Sequence, residues 1–345
     1  MPYQVTIQPS GHQFHVNNDE TLLDAALREG FSLPYGCRNG ACGSCKGKVL
    51  SGELDYGKHS PTALKDEEKA QGRALFCCAR PLSDLSIEAR EIGAAKDIVV
   101  KTLPCRVEKL EKRADDVMVL KIRLPANERL QFLAGQYIDF QLKDGKTRSY
   151  SLANPPHDDA LQELHIRHMP GGLFTDQVFS TLKERDILRL KGPLGSFFIR
   201  EDSDKPMIFI AGGTGFAPIK GMLEHAFAAH MDREMVLYWG VRSLKDLYMA
   251  ELPQQWQAEH PNFTFIPVLS NPEPGDQWQG RTGYVHKAVL ADFADLSGYQ
   301  VYACGAPIMV DSAREAFEQT RGLPEDAFFA DSFVFAADTE TALSA

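Results

Sequence analysis

Three of the seven cysteines crowd one loop, and two more stand side by side farther along the chain. The loop reads Pro34-Tyr35-Gly36-Cys37-Arg38-Asn39-Gly40-Ala41-Cys42-Gly43-Ser44-Cys45-Lys46-Gly47, a C-x4-C-x2-C spacing. With a distant fourth cysteine, at Cys77 or Cys78, this is the spacing of a 2Fe–2S centre. Thiolates suit that role because they are soft, anionic ligands for iron. The glycines let the backbone wrap closely and bring N–H groups to the sulfurs, and such bonds together with burial tune the potential. Zinc is the competing reading. Zinc sites pair short cysteine spacings two and two, whereas here three ligands share one loop and one is remote. Cys105, Cys304 and whichever of Cys77 and Cys78 is not a ligand remain over, and an odd count in a long chain argues against a disulfide scaffold.

A second group is Arg148-Ser149-Tyr150-Ser151-Leu152-Ala153-Asn154. Arg supplies a planar cation for a phosphate oxygen, Tyr an aromatic face and a hydroxyl, and Ser a short donor for the reactive edge of a flavin ring. It is followed by His165-Ile166-Arg167-His168-Met169-Pro170-Gly171-Gly172-Leu173-Phe174-Thr175, a strand, a Gly-Gly turn and a helix start. Free N–H groups at a helix N-terminus bind phosphate. Taken as plain residues, His165 and His168 read as packing or surface side chains rather than metal ligands.

A third group follows an apolar strand: Gly212-Gly213-Thr214-Gly215-Phe216-Ala217-Pro218. A strand feeding a glycine turn and a helix is a nucleotide-phosphate cradle, and Pro218 suits a first helical turn. Near the tip of the next strand stand Arg242 and Asp246. Asp246 could bond a ribose hydroxyl, the NADH pattern, and Arg242 could meet a 2′-phosphate, the NADPH pattern.

The elements that must position these groups change in texture twice along the chain. Val5–Ile7 and Gln13–Val16 read as strands around a turn at Ser10-Gly11. A helix starts after Thr21, with Asp24 in capping-box register and Gly30 at the C-cap, and Lys48–Leu50 and Leu85–Ala89 read as further strands. This is a small β-grasp-like domain over 1–95. From Val99, short alternating runs at 105–110, 117–124, 137–142, 148–152, 164–167 and 187–191 predict an antiparallel barrel over 99–202. From 205 to 337, apolar strands at 207–211, 235–239, 264–269 and 300–303 alternate with helical patterns, which predicts a parallel sheet with crossover helices. The tail after Phe335 has few large apolar groups and reads as poorly ordered.

The 345 residues suffice for two or three domains. The formal net charge of −10 argues against a nucleic-acid partner. Residues 1–100 carry 11 Lys and Arg against 13 Asp and Glu, so the cysteine-bearing segment is nearly neutral. The polar start and the lack of an apolar run of about 20 residues predict no signal peptide, no membrane span and a cytoplasmic protein.

The motifs carry a family resemblance. Cys77-Cys78-Ala79-Arg80-Pro81-Leu82-Ser83-Asp84 resembles the ferredoxin pattern of a Cys four residues before Pro, then Ser-Asp, a register that selects Cys77. Arg148-Ser149-Tyr150-Ser151 resembles the R-x-Y-S signature of the ferredoxin–NADP reductase superfamily. Cys304-Gly305-Ala306-Pro307 resembles its C-G-x-P motif, and Phe329–Phe333 its closing stretch. Over residues 1–335 the order resembles the reductase components of bacterial multicomponent oxygenases and the CDP-6-deoxy-glucoseen reductases of deoxysugar synthesis. The resemblance implies a 2Fe–2S cluster on Cys37, Cys42, Cys45 and Cys77. It implies FAD held by Arg148, Ser149, Tyr150, Ser151, His165, Arg167, Gly171, Gly172, Leu173 and Thr175. It places NADH, with NADPH possible, on Gly213, Thr214, Gly215, Pro218, Cys304 and Gly305, with Ser151 and Cys304 next to the reacting atoms and Asp331 and Phe333 near the flavin. Hydride from NADH would reach FAD and leave as single electrons through the cluster to a partner oxygenase or dehydrase. A second reading makes the C-terminal two-thirds a flavin or ferric reductase with an auxiliary ferredoxin segment.

Overall fold

In a computed structural model the protein is described over residues 2–95 and 98–334. The described residues form two compact units, one of 2–95 and 98 with 331–334, the other of Val99–Ala330.

The first unit is built on a five-stranded mixed sheet. Its strands lie in the order Gln13–Val16, Tyr3–Gln8, Leu85–Glu88, Lys46–Ser51, Arg73–Leu75. Alternation sends Val5 and Ile7 inward from one strand and Phe14 and Val16 from the next, and all four are fully buried. The helix Leu22–Arg28 covers this face with Leu22, Leu23, Ala25 and Ala26. Thr21 caps it by accepting the Asp24 N–H at 3.1 Å, and Gly30 turns the chain out at φ +85°. The cysteine loop and the Cys77-Cys78 segment flank the strand Lys46–Ser51, so tertiary packing unites thiols that the sequence separates by more than thirty residues.

The second unit carries two six-stranded sheets. The first is antiparallel, in the order Thr147–Ser151, Tyr137–Gln141, Ile187–Leu194, Lys101–Ala114, Val117–Arg123, Gln162–Arg167. A bridge from Leu152 to Leu164 joins its two edges, which closes it into the expected barrel. The second sheet runs Arg281–Thr282, Phe263–Leu269, Met235–Val241, Met207–Gly212, Gln300–Gly305, Phe328–Ser332. Its four central strands are parallel, and their middles are almost wholly apolar, as a sheet covered by helices on both faces demands.

The expected strands all form, most of them longer than the runs that announced them. Ladder pairing extends Val5–Ile7 to Tyr3–Gln8 and Cys105–Leu110 to Lys101–Ala114. No helix among the described residues is long and apolar enough to cross a membrane. The expectation for the tail after Phe335 falls outside the described residues.

Candidate cofactor sites

The thiols of the first unit stand in two pairs. The Cys37 and Cys42 side chains are hydrogen-bonded to each other, and so are those of Cys45 and Cys77. In each pair one sulfur is held toward the thiolate: Cys42 by the Cys37 thiol, and Cys77 by the thiols of Cys45 and Cys78. Their partners Cys37 and Cys45 are pushed up, first by that pairing and then by burial. Backbone N–H groups converge on the sulfurs, those of Asn39 and Ala41 on Cys37, that of Gly40 on Cys77, and that of Cys37 on Cys42 at 3.3 Å. Ser44 Oγ lies 3.4 Å from Cys42 Sγ.

Among the described residues, no three or more His, Cys, Asp or Glu side chains are disposed to hold a single metal ion. Two separate pairs are instead what a binuclear centre needs: Cys37 and Cys42 would hold one iron and Cys45 and Cys77 the other, and the bound centre would supply one-electron chemistry. The donor set, the pairing and the converging N–H groups therefore fit a 2Fe–2S cluster, not a tetrahedral zinc site.

In the barrel, strand alternation sorts the flavin motif onto two faces. Tyr150, opposite Ile138, turns toward the core and packs against Phe140 and Phe174 at ring separations of 6.0 and 5.5 Å. Phe174 belongs to the helix Leu173–Ser180 that follows the Gly-Gly turn, so this contact brings the tyrosine and the turn together. Burial pushes the Tyr150 hydroxyl above its ordinary range. Ser149 faces outward and donates to Asp139 at 2.5 Å, Ser151 is buried, and Arg148 donates to the Thr147 carbonyl at 2.8 Å. Thr175 Oγ1 donates to the Met169 carbonyl at 2.9 Å, which fastens the helix start to the turn, and the Gly171 N–H reaches Asp176 at 3.1 Å. Leu173 is exposed.

Arg167 bridges the flavin and nicotinamide motifs. Its Nε lies 3.0 Å from Asp116 Oδ2, and its guanidinium covers Gly213, where a methyl group would stand 2.7 Å from an Arg167 nitrogen. Gly213 has φ +53°, and its carbonyl accepts the Trp239 indole N–H at 3.0 Å. Ala211 pairs with Cys304, so the glycine turn and the Cys304-Gly305 strand end lie side by side. Gly215 passes so close that a methyl there would be 2.1 Å from the Cys304 carbonyl oxygen. Thr214 and Cys304 are buried, and Pro218 lies in the first turn of the helix Phe216–Ala228.

Other expected residues stand apart. Arg242 is exposed beyond the strand tip. The Asp246 carboxylate is engaged by Ser243, accepting its backbone N–H at 3.0 Å and its hydroxyl at 3.2 Å. Asp331 is buried on the last strand and Phe333 lies two residues on, half-buried.

The sequence reading passed over a buried charge network around His165. The His165 ring sits between Glu163 Oε1, 3.0 Å from Nε2, and the Tyr248 hydroxyl, 2.8 Å from Nδ1. Burial lowers the His165 pKa against the pull of Glu163, so the ring is neutral. Burial also works to raise Glu163, but the His165 bond and the charges of Lys220 and Lys121 outweigh it and hold the carboxyl well below its usual range. An ionised Glu163 can only accept, so Nε2 carries the proton and Nδ1 accepts from Tyr248. Lys220 completes the network, 3.2 Å from Glu163 and 2.9 Å from Glu224. The available signal was a lone lysine in the otherwise apolar start of the helix Phe216–Ala228.

A thiol-paired loop in a β-grasp sheet, a barrel with a flavin motif and a parallel sheet with a nucleotide turn define an iron–sulfur flavoprotein of the nicotinamide-dependent kind. Three family models match in the same order: a 2Fe-2S iron-sulfur cluster binding domain over residues 5–82, an oxidoreductase FAD-binding domain over 104–199 and an oxidoreductase NAD-binding domain over 209–315. The chain is 40% identical to the CDP-6-deoxy-L-threo-D-glycero-4-hexulose-3-dehydrase reductase of Yersinia pestis, across 97% of this chain and 99% of that one. It is also 40% identical to the phenol hydroxylase P5 protein of Acinetobacter pittii, across 98% and 96%. The crystal structure of the Amycolatopsis cytochrome P450 reductase GcoB superposes with a TM-score of 0.76 at 36% identity, over 96% of this chain and 98% of that one. The chain belongs to the iron–sulfur flavoprotein reductases of the ferredoxin–NADP reductase superfamily. It is an NAD(P)H-dependent oxidoreductase whose cofactors are a 2Fe–2S cluster and FAD.

Proposed function

We propose that NADH is the coenzyme, and that electrons leave through the cluster to a cytoplasmic partner protein, an oxygenase component or a deoxysugar dehydrase. The relatives named for a dehydrase reductase and for phenol hydroxylase match almost the whole chain, which supports either partner. None of the seven cysteines is joined in a disulfide, as suits a reducing compartment. The functional segments are residues 1–95, 99–202 and 205–337.

The observation that carries this reading is the two-and-two pairing of Cys37 with Cys42 and Cys45 with Cys77 in a chain that also holds a flavin motif and a nucleotide turn. A bound flavin supplies the step between a hydride donor and a one-electron acceptor. The chain's residues orient and enclose that exchange. Arg148, Gly171, Gly172, Leu173 and Thr175 hold the flavin phosphates. Tyr150, with Ser149 and Ser151, lines the ring, and His165 and Arg167 back it. Gly213, Thr214, Gly215 and Pro218 cradle the coenzyme phosphates, Asp246 and Arg242 flank its ribose, and Cys304 and Gly305 meet the nicotinamide.

Replacing Cys42 by Ser tests the route. The variant should keep NADH–ferricyanide activity, which draws on the flavin, and lose NADH–cytochrome c activity, which draws on the cluster. Equal cytochrome c reduction by the variant and the parent protein would overturn the reading.

A further inference from the structure

Cys78 is the one thiol beside the cluster loop that the four-ligand set leaves over. Its Sγ lies 3.6 Å from Cys77 Sγ, within the reach of a sulfur hydrogen bond. Two glycines pin it. At Gly40, in the cysteine loop, a methyl group would come within 2.7 Å of Cys78 Sγ; at Gly57 one would come within 2.4 Å of the Cys78 carbonyl oxygen. The Cys78 backbone is fixed as well, its N–H donating to the Leu75 carbonyl at 2.9 Å. The sulfur therefore has little room to swing from its neighbour.

We infer that Cys78 is a tuning residue, a thiol that donates its S–H to the Cys77 sulfur and raises the reduction potential of the cluster. This rests on the reading of Cys77 as the fourth ligand. An iron-bound sulfur has given up its proton and can only accept, so the hydrogen in the 3.6 Å contact belongs to Cys78. On reduction the cluster gains one negative charge, spread in part over its sulfurs. A donor aimed at one of them stabilises the reduced form more than the oxidised form. Backbone N–H groups act the same way around this loop, but their number is set by the fold. Cys78 adds a side-chain donor that substitution can remove.

The test uses the full chain, reconstituted with cluster and FAD, in three forms, parent, Cys78→Ala and Cys78→Ser, with Cys77→Ala as the ligand control for iron content. Iron content and an EPR-monitored redox titration are measured for each. The expected result is full iron content in all three, a lower midpoint potential for the Ala form, and a Ser form between Ala and parent because its hydroxyl can still donate. Full iron content with an unchanged midpoint in the Ala form, or equal shifts for Ala and Ser, would overturn the tuning role and leave Cys77 as ligand. Loss of iron from the Ala form, with iron kept by Cys77→Ala, would make Cys78 the ligand and overturn both statements.

Discussion

Lys220 Nζ lies 3.2 Å from Glu163 Oε1 and ties the first helix behind the nucleotide turn to a strand of the flavin barrel. The same ammonium lies 2.9 Å from Glu224 Oε2 and donates to the Ala153 carbonyl at 3.2 Å, with its side chain only 9% exposed. Lys220→Met would leave an ionised Glu163 buried and facing a second carboxyl group. Breaking a buried ion pair by removing one partner costs about 3–5 kcal/mol. Thermal unfolding of the holoprotein should therefore show a clear loss for Lys220→Met and a smaller one for Glu163→Gln combined with Lys220→Met. Parent-like melting of the single variant would show that the bridge contributes nothing.

The same network sets a pH dependence. Burial pushes His165 below its ordinary 6.5. Between that lowered value and 6.5 the unfolded chain binds a proton that the folded chain refuses, so stability falls as pH drops through 6.5. Glu163, held below its ordinary 4.5, acts in the same direction at lower pH: its contribution is present above 4.5 and is lost as pH falls through the folded value. Glu224, raised by burial, opposes them just above 4.5, where the folded chain takes the proton first. Between about pH 7.5 and pH 5.5 the histidine term leads, and Tm should fall as the solution is acidified. His165→Gln, which can still hydrogen-bond but does not titrate, should flatten that slope. An unchanged slope in the variant would assign the acid sensitivity to other groups.

Legibility followed the range of the interactions. The cysteine spacing, the Arg148–Ser151 strand and the glycine turn are local patterns, because the backbone geometry each imposes is local; residue order alone exposes them. The strand at 73–75 was not foreseen: Arg73, Ala74 and Leu75 are too few to show a period, and only pairing with Lys46–Lys48 makes them a strand. The Glu163–Lys220 contact joins residues 57 positions apart, one on a barrel strand and one on the helix behind the glycine turn, which no window of sequence contains. Coenzyme preference failed to show for another reason. Asp246 is the acid expected at a ribose hydroxyl, yet its carboxylate caps the turn through Ser243, and one residue type serves both ends.

Arg148 offers a direct test of the flavin site. Its guanidinium donates to the neighbouring Thr147 carbonyl at 2.8 Å, and the alternation of the strand places it two residues from Tyr150 on the same face. A charge-assisted bond to phosphate contributes about 1.5–3 kcal/mol, which converts to roughly 10- to 150-fold in affinity. Arg148→Ala should lose FAD during gel filtration and regain activity when excess FAD is added. Arg148→Lys should recover part of the affinity, since it restores the charge but not the planar fork. Stoichiometric flavin in the Ala variant after filtration would remove Arg148 from the site.

Gly215 tests the nicotinamide side. Only a hydrogen separates it from the strand end that carries Cys304: a methyl group would be 2.1 Å from the Cys304 carbonyl oxygen, a backbone atom that cannot turn aside. Gly215→Ala must push the glycine turn and the Cys304-Gly305 end apart. A misplacement of about 1 Å in a reacting pair can cost about 100-fold in rate. The barrel and the cysteine loop hold no part of this contact, so FAD and iron content should stay at parent levels while the rate of flavin bleaching by NADH falls on the order of 100-fold. Gly298→Ala, at a position with no atom within 4 Å of the added methyl, serves as the control and should bleach at the parent rate. Stopped-flow absorbance separates the cases. Bleaching of Gly215→Ala at the parent rate would mean that hydride transfer tolerates a wider gap between the turn and Cys304 than this packing permits.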